Sequence, residues 1–204
     1  MGLSLTFPEK LRATITLPGS KSIAARALIL SALSGGDKVL NLSDCDDTQA
    51  LFKALTHDTE IVDIGAAGTA MRFLTAYFAT QSGTQHLLTG TERMQQRPIS
   101  ILVEALQTLG ADITYTGQAG YPPLLIKGKD IQGGEVRLSA EVSSQYISAL
   151  LMVGPKLRDG LRLQLEGTIA SRPYIEMTLG LMREFGAKAS WTDAKTICVA
   201  PGGY

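Results

Sequence analysis

The chain has 204 residues, 45% of them hydrophobic, which is enough for a well-buried domain and too many for a disordered segment. Nineteen Lys and Arg against nineteen Asp and Glu leave a formal net charge of zero. No global field therefore draws the protein onto nucleic acid or an anionic membrane, and any anionic ligand must be held by local chemistry.

The longest apolar runs, at 27–30 and 149–153, are far shorter than the roughly 18 residues of a membrane span. No basic stretch leads into an apolar core and a cleavage site near the start, so no secretion signal is read. Cys45 and Cys198 lack CxxC spacing, and His57 and His86 are the only histidines. A reducing cytoplasm, no metal and no membrane are the expectation. Nucleic acid is not an expected partner either, since no basic run is interleaved with aromatics and only 6% of residues are aromatic.

In chain order, β-rich runs at 13–17, 60–64, 111–116, 134–138 and 161–165 alternate with stretches of helical apolar spacing, predicting an α/β (α+β) fold. The only candidate boundary lies near Pro18. Three helix starts share a form. Gly19-Ser20-Lys21-Ser22, Gly65-Ala66-Ala67-Gly68-Thr69 and Val142-Ser143-Ser144-Gln145 each place small or hydroxyl residues before an apolar helix, and Arg26 and Arg72 occupy equivalent places in the first two. A second set recurs at Arg97-Pro98 and Arg172-Pro173, which lead into amphipathic helices stopping at Gly110 and Gly186. Asp46-Asp47-Thr48 is read as its diverged first copy. The chain is thus expected to hold three units of two helices and several strands. Approximate symmetry between them would bring the three small-residue starts near one another.

A helix N-terminus carries unpaired amide donors and the positive end of a dipole, so small residues there admit a phosphate or carboxylate. Lys21 supplies a flexible point charge, and Arg26, one turn in, a fork suited to a carboxylate. Ser20 alone is an ordinary cap. Gly65 and Gly68 serve either a tight turn or close ligand approach. Arg72 is read as a structural ion-pair partner. Ser143, Ser144 and Gln145 suit a phosphate beside a polar ring. Arg97 sits at a rigid helix entrance with Arg93 close by, while Ser171 and Tyr174 bracket the matching step. Tyr174 is either a half-buried core aromatic or a ligand hydroxyl. Asp44, Asp46 and Asp47 fit no EF-hand spacing and are read as helix-start acids.

Taken together, 17–22, 67–72, 88–99, 142–145 and 171–175 resemble, in order, the motifs of the 5-enolpyruvylshikimate-3-phosphate synthase family. The resemblance runs over essentially the whole chain but over only the first half of that family. It implies a domain of three βαβαββ-type units with helices packed inside sheets. It also implies that 1–17 form a strand segment pairing with a second domain, and that 18–204 form the N-terminal domain. The implied reaction moves the enolpyruvyl group of phosphoenolpyruvate to the 5-hydroxyl of shikimate 3-phosphate, without metal or organic cofactor. Lys21 would touch both substrates. Ser22, Arg26, Ser143, Ser144, Gln145, Ser171 and Tyr174 would hold shikimate 3-phosphate, and Gly68, Thr69, Arg97 and Gln145 would face phosphoenolpyruvate. The partners implied are these small anions and a C-terminal domain carrying further acids and cations. Alone, the chain is expected to turn over little or nothing. Ala24, Ala25 and Ala66 stand where the family usually has polar residues. A related UDP-N-acetylglucosamine enolpyruvyl transferase and a non-catalytic anion-binding module are the alternatives.

Overall fold

A computed structural model describes residues 3, 4, 6, 10, 12–36 and 39–204. Helix α1 (Lys21–Ser34) starts where the Ser20 hydroxyl accepts the Ile23 amide at 3.4 Å, and stops at Gly35, whose φ of 114° is left-handed. Helix α2 (Asp46–Thr56) follows. Next come β1 (Ile61–Asp63), α3 (Gly68–Ala79), β2 (Gln85–Thr89), the short α4 (Glu92–Gln95), α5 (Ser100–Leu109), β3 (Asp112–Tyr115) and β4 (Leu124–Lys127). The chain then runs through β5 (Gly134–Ser139), α6 (Ser144–Val153), β6 (Leu161–Glu166), α7 (Arg172–Glu184), β7 (Ala189–Trp191) and β8 (Thr196–Val199).

Two sheets form, ordered β1-β2-β4-β3 and β5-β6-β8-β7, and in each the first pair is parallel and the others antiparallel. Each sheet with its helices is one βαβαββ unit, so the second and third copies expected from the sequence are present. The first copy is reduced to α1 and α2, with no strand among the described residues. Residues 12–20 form no strand, and Ile15 and Leu17 are 78% and 82% exposed. The expected strand at 13–17 does not form here, because an isolated strand has no ladder to satisfy its backbone and no face to bury. Residues 1, 2, 5, 7–9 and 11 of the 1–17 segment lie outside the described residues.

Helices α1, α3 and α6 pack on one another and are buried nearly all round. That explains their near-continuous apolar sequence, as against the one-sided pattern of α5 and α7. The sheets cover this centre with alternating buried and exposed strand positions. Helix α5 ends at Gly110 (φ 110°) and α7 runs out at Gly186 (φ 92°), as the glycine stops predicted. Among the described residues no helix is long and apolar enough to cross a membrane.

Candidate active site

Parallel pairing decides where the helix starts lie. Since α6 follows β5, α7 follows β6, and β5 and β6 run parallel, both helices begin at the same sheet edge. There Gly167 approaches the Glu141 side chain, and the Ala140 amide binds the Glu166 carbonyl at 2.6 Å. The second unit repeats this, with the Thr91 amide on the Gly65 carbonyl at 3.0 Å. The Ser143–Ser144 and Ser171–Tyr174 starts are thereby neighbours, as are Gly68–Thr69 and the Arg97 entrance.

One polar chain ties the starts of α1, α2, α3 and α6 together. Lys21 Nζ lies 2.5 Å from Asp47 Oδ2. Asp47 Oδ1 accepts the Thr69 amide at 2.7 Å, and the Thr69 hydroxyl accepts from Gln145 Nε2 at 3.2 Å. Burial pushes the Asp47 carboxyl up, but the Lys21 ammonium and the Thr69 amide and hydroxyl outweigh it and hold the group below the usual aspartate range. The same contact, against partial burial, raises Lys21 above an ordinary lysine. Sequence reasoning reads Asp47 only as a helix-start acid and does not foresee this bridging place. Its place in the first turn of α2 matches the helix-start reading, but its reach across to two other helices leaves no mark on spacing.

Beside this chain, two guanidinium groups meet over Gly68. A Cβ built there would stand 2.5 Å from Arg97 Nη1 and 2.8 Å from Arg72 Nη1, so the glycine is what lets both cations approach one point. Arg72 donates to the Gly68 carbonyl at 2.8 Å and lies over the Tyr146 ring, 5.7 Å from its centroid. Its Nε has no partner although the residue is only 6% exposed. The expected structural ion pair of Arg72 is not found among the described residues. The Gly68 carbonyl and the Tyr146 face replace the carboxylate, because Arg72 turns back along α3 rather than outward. The Tyr146 hydroxyl in turn donates to the Pro98 carbonyl at 2.8 Å and fixes the Arg97-Pro98 step. Burial and the neighbouring Arg72 charge both lower the Arg97 pKa, partly offset by Asp47. Arg97, Arg93, Met94 and Ala66 line a cavity of about 370 Å³. Two neighbouring cations without a carboxylate between them form a site that attracts an anion.

Arg26 faces inward, 3% exposed. Its Nε donates to the Thr178 hydroxyl at 2.7 Å, Nη2 to the Ser148 hydroxyl at 2.9 Å and Nη1 to the Ser22 carbonyl at 2.8 Å. Burial pushes its pKa down to about 10, with Tyr174 opposing, so it remains a cation at neutral pH. Ser22 and Ser144 are partly exposed, and Ser143 is exposed with its hydroxyl accepting the Gln145 amide at 3.3 Å. Ser171 makes no cap bond to α7. Tyr174 is exposed, its ring 5.9 Å from the Arg26 carbon. The expected ligand-binding residues therefore lie at or just inside the starts of α1, α3, α6 and α7, with Arg97 at the entrance to α5. Ser148 and Tyr146 were not foreseen because they fall inside an apolar helical run that reads only as core, and Thr178 because a single threonine on the buried face of α7 carries no signal of its own.

The fold is shared with EPSP synthase from Acinetobacter baumannii at a TM-score of 0.80 and 23% identity, over 93% of this chain and 47% of that one. That likeness shows a shared fold. The family model for EPSP synthase (3-phosphoshikimate 1-carboxyvinyltransferase) matches residues 5–61 and 56–203. A 3-phosphoshikimate 1-carboxyvinyltransferase of Bacteroides fragilis (strain YCH46) is 61% identical over 98% of this chain and 49% of its own length. One of Haemophilus influenzae (strain PittEE) is 42% identical over 86% and 47%. The chain belongs to the EPSP synthase family. It spans about half the length of the curated relatives it matches.

Proposed function

We propose that residues 18–204 are the N-terminal domain of a cytoplasmic 3-phosphoshikimate 1-carboxyvinyltransferase of the shikimate pathway, which serves aromatic amino acid biosynthesis. Residues 1–17 pair with a second domain that completes the cleft. The 5-hydroxyl oxygen of shikimate 3-phosphate bonds to C2 of phosphoenolpyruvate while a proton adds to its methylene carbon. Loss of a proton from the new methyl group then expels inorganic phosphate and leaves the enolpyruvyl ether. Lys21 contacts both substrates. Ser22 and Arg26 take the shikimate carboxylate, and Ser143, Ser144, Ser171 and Tyr174 surround its phosphate. Gln145 lies between ring and phosphoenolpyruvate, and Gly68, Thr69 and Arg97 receive the latter.

The observation that carries this reading is the chain Lys21–Asp47–Thr69–Gln145 beside the two guanidinium groups over Gly68. Two multiply charged anions repel each other, and bringing them together requires donors fixed in advance. Here the donors come from separate repeats and are already linked. The free Cys45 and Cys198 suit a reducing compartment.

Calorimetry with shikimate 3-phosphate and phosphoenolpyruvate tests the binding. Adding the complementary C-terminal domain in trans tests the reaction. Weak binding of shikimate 3-phosphate by the chain alone, with turnover restored by the added domain, is expected. Robust turnover by the 204-residue chain alone refutes the two-domain reading. Binding without restored turnover leaves an anion-binding module, and preference for UDP-N-acetylglucosamine moves the chain to the related transferase.

A further inference from the structure

Arg26 is a buried cation whose hydrogen bonds go to neutral oxygens and whose guanidinium lies by the Phe73 and Tyr174 rings, with no carboxylate in ion-pair range among the described residues. A guanidinium has five N–H donors and no acceptor, so each contact fixes the direction of a hydrogen. Thr178 Oγ1 accepts from Arg26 Nε at 2.7 Å and spends its own hydrogen on the Tyr174 carbonyl at 2.8 Å. Across the 2.9 Å separating the two hydroxyls, Ser148 must therefore be the donor, while its oxygen accepts from Arg26 Nη2. Ser148 and Thr178 are both fully buried, so bulk water does not compete for these bonds.

This anchoring has an electrostatic consequence. A carboxylate would orient the guanidinium equally well but would cancel its charge toward any incoming anion. Hydroxyl groups orient it and leave the charge standing. Two of the five N–H bonds remain uncommitted. The two hydroxyls also belong to α6 and α7, whose first turns carry Ser144 and Tyr174.

We propose that Thr178 and Ser148 are positioning residues for substrate recognition, holding Arg26 un-neutralised in the orientation that receives the substrate carboxylate and tying that orientation to the starts of α6 and α7. The inference rests on the reading above in which Arg26 meets the shikimate carboxylate.

Calorimetry on the full chain compares shikimate 3-phosphate with its analogue bearing a carboxamide in place of the carboxylate. The unaltered protein is expected to prefer the carboxylate by about tenfold or more, the scale of a charge-assisted bond. Thr178→Val, which keeps the shape and removes the hydroxyl, should bring that ratio toward one while changing carboxamide affinity by less than about twofold. Thr178→Ser should restore the ratio, and Ser148→Ala should lower it part-way. An unchanged ratio in Thr178→Val, or equal weakening of both ligands, overturns the inference and leaves the two hydroxyls as packing groups. If Thr178→Val does not fold, Ser148→Ala against Thr178→Ser carries the same comparison, and a ratio unmoved by Ser148→Ala overturns it. A ratio near one in the unaltered protein instead refutes the Arg26–carboxylate reading, and the inference with it.

Discussion

Asp47 divides its two oxygens between two helices, one 2.5 Å from the Lys21 ammonium and the other accepting the Thr69 amide at 2.7 Å. Asp47→Asn keeps an acceptor for the amide and removes the charge, so it isolates the ion pair. Because the Asp47 pKa is depressed on folding, its contribution is present above the unfolded value of about 3.9 and fades as pH falls through the lower folded value. The Lys21 pKa is raised, so its share is complete below about 10.4 and is lost as pH climbs through the higher folded value. Thermal melts from pH 2 to 11 should show Asp47→Asn destabilised between these limits and converging with the unaltered chain in acid. Lys21 is half exposed, so the gap should be about 0.5–1 kcal/mol. A gap that persists unchanged down to pH 2 would point to packing instead.

Two glycines make opposite predictions. At Gly128 an added Cβ would collide with the Gln81 and Phe78 carbonyl oxygens, which are backbone and cannot step aside. Gly128→Ala should cost about 2–3 kcal/mol and lower the melting temperature by roughly 5–10 °C. At Gly68 the obstacles are the ends of the flexible Arg97 and Arg72 side chains. Gly68→Ala should therefore cost less than about 1 kcal/mol in stability yet weaken phosphoenolpyruvate binding by about tenfold, because the guanidinium groups are pushed off their common point. Melting and calorimetry on both variants separate the two effects. Intact phosphoenolpyruvate affinity in Gly68→Ala would remove the anion site from this position.

Ala66, where the family resemblance implies a polar residue, is exposed and lines the cavity with Arg93, Met94 and Arg97. Ala66→Asn adds an amide donor to that wall. It should tighten phosphoenolpyruvate binding by about two- to tenfold, the worth of one net hydrogen bond. Titration calorimetry measures it, and an unchanged Kd would show that the amide does not reach the anion.

Trp191, the only tryptophan, donates to Glu176 at 2.8 Å, and the Arg172 guanidinium lies 4.2 Å from its ring centroid. Arg172 immediately follows Ser171, so a phosphate bound at the start of α7 should draw the guanidinium away and change tryptophan emission. Shikimate 3-phosphate should shift the fluorescence of the unaltered chain saturably, and Ser171→Ala should weaken that response by about five- to tenfold. A titration that leaves emission flat would separate Ser171 from the phosphate.

Much of this could be read from the residues alone because the signals are local. The caps and stops at Ser20, Ser143, Gly110 and Gly186, and the period of α5 and α7, depend on neighbours within one turn of chain. The recurrence of the helix starts came from the same local patterns and gave a repeated unit of two helices and several strands, while the βαβαββ order was implied by the family resemblance. Strands β2, β4, β7 and β8 were not foreseen, because runs of three to five residues take their identity from the strands they pair with. The strand expected at 13–17 fails for the converse reason, a β-rich run with no partner.

Sequence by itself thus determined the family, the repeat and the residue types at each helix start. Only the tertiary structure decided that Asp47 spans two helices, that Arg72 lies against Tyr146 without a carboxylate, and that Arg26 turns inward to hydroxyls on α6 and α7. These contacts join residues 22 to 152 positions apart along the chain. No local propensity specifies such distances. Packing of helices from separate repeats against one another does, α3 against α6 and α1 against α3 and α7.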